Sequence, residues 1–189
     1  MAYSKHSILE LGRQARLAGD IAQSINLLSS INQLDALNSE AWLLNGLNYM
    51  NTGRLVIAIS HFRKYVNLNS IDPTGWYLIG FCILKYTEYG GSVQYFKKAM
   101  ELGMITGDLC LWLGESLMRT GKYREGLKAL QLGSIYSCCD PNRYYSFLFR
   151  CAQNTNVKPR PKEDYKEAAV ASLKRNLNVE DIICVGAVS

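Results

Sequence analysis

Apolar residues recur along most of this chain at steps of three and four, not in alternation. Within 39–72, Trp42, Asn45, Gly46 and Tyr49 share one helical face. Gly53 interrupts, and Leu55, Ala58, Ile59, Phe62 and Val66 resume the same spacing. This period predicts two amphipathic helices joined by a short turn. A glycine at the break can take positive φ and end the first helix. One stretch departs from amphipathicity: "GWYLIGFCILKY", Gly75 to Tyr86, carries no charged or strongly polar side chain between Trp76 and Leu84. A surface helix is not apolar all round, so this helix needs two covered faces.

The pattern repeats every 34 residues, a period that signals a stacked array. Gly12, Gly46, Gly80 and Gly114 keep that step. Four residues before them stand Ile8, Trp42, Trp76 and Cys110. Twelve after them stand the small residues Ser24, Ala58, Ser92 and Gly126, and sixteen after them Leu28, Phe62, Phe96 and Leu130. Gly19, Gly53 and Gly121 recur seven after, where Thr87 breaks the series. The blocks are 5–38, 39–72, 73–106 and 107–140, each predicted as a helical hairpin. Small inner residues let two axes approach, aromatics fill the space beside them, and such hairpins stack on copies of themselves. Asp72-Pro73 and Asp140-Pro141 are helix starts, with the aspartate as N-cap. The last repeat needs a cap, and 141–154 supplies one, with Tyr144, Phe147, Leu148 and Cys151 at helical spacing. The predicted organisation is an array over 1–156, then a linker, a final helix over about 163–176 and the apolar tail "VEDIICVGAVS".

These residues resemble the tetratricopeptide repeat family, whose pattern is W-x2-L-G-x2-Y followed by a small residue and F-x2-A. The second block carries Trp42, Gly46, Tyr49, Gly53, Ala58 and Phe62. The third carries Trp76, Gly80, Phe96 and Ala99, the fourth Leu113, Gly114, Gly121 and Tyr123, the first Leu11, Gly12, Gly19 and Leu28. The resemblance implies an all-α fold: a right-handed superhelical array of four helix-turn-helix repeats with C-terminal capping helices. The proline that often ends the second helix is absent; Ala36, Ser70, Met104 and Cys138 stand there. The resemblance also implies a concave groove that binds peptide, lined by one face of each first helix. Carried over by position, that face is Leu43, Leu47 and Met50, then Tyr77, Leu78, Phe81 and Leu84, then Leu111, Trp112, Glu115, Met118 and Arg119, with Tyr145 and Phe149 from the capping helix. Such a wall is apolar, and its methionines suit a forgiving hydrophobic site. The family's chaperone carboxylate clamp has no counterpart here: Leu9, Arg13, Leu44, Thr74 and Leu78 stand at its positions, and in the next register Leu43, Leu47, Leu78, Asp108 and Trp112. In size, repeat number and groove character the chain is similar to the class II chaperones of type III secretion, which hold hydrophobic segments of other proteins.

Composition narrows the function. The chain has 189 residues and a net charge of +5, with basic and acidic residues mixed along it. A nucleic-acid reader shows a clustered basic face, and the one cluster here, Lys158 to Lys166, is interleaved with acids. The six cysteines form no C-x-x-C pair, and His6 and His61 are far apart, so neither a metal nor another cofactor is expected. Nucleophile motifs and phosphate loops are absent, and no enzyme is expected. No stretch reaches the roughly 18 apolar residues of a membrane span, and no signal peptide is recognised; a cytoplasmic location is the expectation. The functional expectation is a non-catalytic interaction module or chaperone that binds an apolar segment of another protein. The alternative is a self-assembling scaffold, a homo-oligomer whose C-terminal tail occupies its own or a neighbour's groove.

Overall fold

In a computed structural model the described residues are 4–86 and 88–156. Among them the structure is helical throughout, without strands. Two compact units divide the chain at residues 87 and 88. The first holds α1 (Lys5–Leu17), α2 (Ile21–Leu34), α3 (Ser39–Asn51), α4 (Leu55–Leu68) and α5 (Pro73–Lys85). The second holds α6 (Tyr89–Glu101), α7 (Gly107–Arg119), α8 (Tyr123–Gly133) and α9 (Pro141–Asn154). The linker, final helix and apolar tail expected after residue 156 lie outside the described residues, as does Thr87.

Each first helix opens on the same device. Ser4, Asn38, Thr106 and Asp140 each accept, through a side-chain oxygen, the backbone N–H three residues on, and Asp72 accepts that of Thr74. These N-caps recur every 34 residues and satisfy N–H groups that the helix leaves open. The helix ends are equally regular. After α3, Gly53 sits at φ 74°. Its N–H donates to the Met50 carbonyl at 3.0 Å and that of Arg54 to the Tyr49 carbonyl at 2.9 Å. This pair of bonds is a Schellman closure, and the left-handed residue it requires is glycine without strain.

Within the first unit α1 packs on α2, α3 on α4, α2 on α3 and α4 on α5. The α3–α4 hairpin is held close at one point. A Cβ on Gly46 would lie within 3.0 Å of the Phe62 ring, and Phe62 is fully buried. Gly12 stands in the same way under Leu28, and in the second unit Gly114 under Leu130. Between hairpins the contacts alternate in chemistry. Asn48 donates to the Ser24 hydroxyl at 2.8 Å, and that hydroxyl donates to the Gly12 carbonyl at 2.8 Å. The equivalent pair within the second unit is Ser92 with Ser116, 2.8 Å apart. At the α4–α5 junction the same positions are Ala58 and Cys82, both buried and apolar. A polar pair that meets only in one register penalises misaligned stacking, because a slip would leave it buried without a partner.

The positions where the family pattern has proline serve another bond. The Trp42 indole N–H donates to the Ala36 carbonyl at 2.9 Å, and that of Trp76 to the Ser70 carbonyl at 3.0 Å. Each indole thus pins the loop leading into its own helix. The Tyr65 hydroxyl donates to the Asp72 carboxylate, tying α4 to the N-cap of α5.

Gly46→Ala tests the close approach. The added methyl meets an aromatic ring with no space to yield, so the variant should lose about 1–3 kcal/mol of stability in a urea titration. Gly46→Ala with unchanged stability would remove the constraint.

Candidate peptide-binding site

In the first unit the groove residues expected on α3 and α5 fall into two groups. Leu43, Leu47 and Met50 are half-buried and follow one another along α3 at helical spacing. Tyr77 and Phe81 are half-buried on α5, their rings stacked with centroids 6.3 Å apart. The Lys85 ammonium lies 5.2 Å from the Phe81 ring centre, a cation–π distance. Leu78 and Leu84 are buried. On α1, Leu9 belongs to the core with Leu28, Ile31 and Ala41, and Leu44 packs against that core. At the clamp positions Leu9 and Leu78 are therefore buried leucines, and Leu44 packs against the core. Arg13, at the repeat position of Leu47 and Phe81, pairs with Glu10 on its own helix and with Glu40 on α3. Apolar stripe and charged clasp thus belong to the same set of first helices.

The second unit treats these repeat positions differently. Leu111, Trp112 and Met118 are buried, while Arg119 and Phe149 are exposed and Tyr145 is half-buried. Glu115 is 3% exposed and is held by charge. Arg143 donates to both of its carboxylate oxygens, at 2.8 and 2.9 Å, and Arg119 approaches at 3.7 Å. The Arg143 guanidinium also lies 5.2 Å from the Trp112 ring centre and 5.5 Å from that of Phe147. Arg143 was not anticipated from the sequence. Its repeat equivalents are Ser7, Ala41, Gly75 and Leu109, so an arginine among small or apolar residues was the signal that could have found it.

The thiols are mostly withdrawn from chemistry. Burial pushes Cys82 and Cys110 up to about 12 and Cys151 up to about 11. Cys139 is exposed, and residual burial together with Asp108 raises its thiol as well. Cys184 lies outside the described residues. No cluster of three or more histidine, cysteine or acidic residues suited to a metal occurs among the described residues. No helix among them is long and apolar enough to cross a membrane.

Comparison with solved structures follows the architecture closely. A crystal structure of MamA protein superposes with a TM-score of 0.70, covering 98% of this chain and 96% of that one at 18% identity. A second MamA crystal structure gives 0.68, with 87% and 95% covered at 19% identity. The crystal structure of YrrB, a TPR protein with an unusual peptide-binding site, gives 0.62, with 81% and 87% covered at 13% identity. No family profile and no curated protein matches the chain. At such identities the likeness is one of fold.

Two measurements test this site. Removing Arg143 leaves a buried carboxylate without its main partner. Arg143→Ala should therefore destabilise the chain by about 2–4 kcal/mol in thermal or chemical unfolding; a loss below about 1 kcal/mol, the level of a surface pair, would contradict the buried role. At pH 8 a thiol reagent should label Cys139 in the native chain and reach Cys82, Cys110 and Cys151 only on unfolding. Equal labelling of all four in the native chain, read by peptide mass mapping, would contradict the burial.

Proposed function

From the tetratricopeptide-repeat fold that these likenesses show, we propose that the chain is a protein-interaction module whose first-helix face in the first unit receives an apolar segment of another protein. The observation that carries this reading is the stripe of half-buried Leu43, Leu47 and Met50 on α3, with stacked Tyr77 and Phe81 on α5. Large apolar side chains left partly in water at regular spacing, on helices already stacked through other faces, form a surface that gains by being covered. Each is worth about 1.5–3 kcal/mol on full burial, so completing the burial of several supports specific binding. The methionine and the leucines adapt to different partners, whereas the paired rings favour an aromatic or branched aliphatic anchor. The Arg13–Glu40 pair and Lys85 supply a polar rim of both signs. In the second unit, Tyr145 and Phe149 on α9 and the exposed Arg119 offer a smaller aromatic and cationic surface. Holding an apolar segment out of water is what a chaperone of secreted or assembling proteins does, and the face suits that role.

The test uses short leucine- and phenylalanine-rich peptides with a fluorescent label. Wild-type chain should bind them in anisotropy titrations. Phe81→Glu should weaken binding at least about tenfold, a difference of 1.4 kcal/mol, while keeping its helical circular dichroism. Equal affinity in a folded Phe81→Glu variant would overturn the assignment.

A further inference from the structure

A second apolar surface lies in the second unit, on helices that the peptide-binding reading does not use. Between α6 and α8, with α7 as its floor, runs an open cleft of about 430 Å³. Met100, Ile105, Leu113, Leu117, Ala129 and Leu132 line it with hydrocarbon. Its rim is charged. Lys97 reaches across to Glu125 at 2.8 Å, and Glu101 is held by Lys98 at 3.1 Å. Lys128 makes no salt bridge within 4 Å among the described residues; its charge acts on Glu125 only from a turn away, leaving it open to a closer carboxylate. A ligand matching this cleft has one or two apolar anchors of leucine size and an acidic group beside them.

The chain displays that combination itself. At the end of α2, Leu34 is 61% exposed and Leu37 is 77% exposed, with Asp35 between them. Asp35 accepts the Leu37 N–H at 3.3 Å and forms a long, exposed pair with Lys5 at 3.6 Å, a weak contact for which a second cation can compete. Among the described residues, the other strongly exposed apolar side chains fit less well. Leu17, Val56, Tyr86 and Phe149 stand within two residues of Arg16, Arg54, Lys85 and Arg150, which Lys128 would repel. Ile71 stands beside Asp72, whose carboxylate is already bonded by Tyr65 and Thr74.

We infer that the α2–α3 turn of one copy docks into the α6–α8 cleft of a second copy, with Leu34 and Leu37 on the apolar floor and Asp35 against Lys128. The two surfaces differ, so the contact is head-to-tail. Each added copy keeps one free turn and one free cleft, and assembly need not close. With two anchors and one ion pair the contact belongs to the small, weak class of interface. Assembly therefore depends on protein concentration and weakens with salt.

Sedimentation equilibrium of the full chain tests this, with single variants on each side of the contact. The average mass of the wild type should climb past that of a dimer at high micromolar concentration. Leu37→Glu removes the turn and Lys128→Glu removes the cleft's cation; both positions are exposed, so helicity should be unchanged. Each variant alone should stay monomeric, its association weakened at least about tenfold. An equimolar mixture should form dimers and nothing larger, because one variant keeps its cleft and the other its turn. A wild type that remains monomeric would overturn the proposal. So would either variant assembling as the wild type does, or a mixture that stays monomeric while the wild type assembles.

Discussion

The α1–α2, α3–α4 and α7–α8 hairpins depend on how closely their two helices can approach. At Gly46 the α3 backbone meets the Phe62 ring of α4 with no room for a methyl group, and Gly12 and Gly114 meet Leu28 and Leu130 in the same way. With the hairpin closed on that side, the outward edges of α3 are committed: Gly46 to α4, and Ala41, Asn45 and Asn48 to burial. A helix has only so much circumference. The remaining stripe, Leu43, Leu47 and Met50, is left for something outside the hairpin.

The same arithmetic explains α5. Its lack of polar residues looked excessive for one helix. Gly75, Ile79, Cys82 and Ile83 are buried, and so are Leu78 and Leu84, while Trp76 spends its indole on the Ser70 carbonyl. Tyr77 and Phe81 stay half-buried, as does Trp76, whose indole is already bonded. Apolar composition here reflects the number of covered faces, and the residual stripe is narrower than composition suggests.

The hairpin repeat was legible in the sequence because glycine and aromatic positions carry steric demands that few residues meet. The recurrent N-caps were written there too: Ser4, Asn38, Asp72, Thr106 and Asp140 share the 34-residue step, and the two aspartates before proline are its most explicit members. Burial of the individual groove positions was less legible. Spacing assigns Leu111, Trp112 and Met118 to one face of α7, but whether a face is covered depends on packing that a repeat pattern does not encode. Arg143 shows the same limit from the other side. Its partner Glu115 lies 28 residues away, and a charge pair between helices of different hairpins leaves no local signature. The polar Ser24–Asn48 and Ser92–Ser116 contacts likewise become meaningful only once two helices are placed together.

The division of surfaces can be read directly by methyl NMR with a leucine- and phenylalanine-rich peptide added to the labelled chain. Shifts are expected at the methyl groups of Leu43, Leu47 and Met50, with the buried core methyls of Leu28 and Ile31 little changed. Saturable binding that leaves Leu43, Leu47 and Met50 unmoved and shifts only methyls of the second unit would contradict that division.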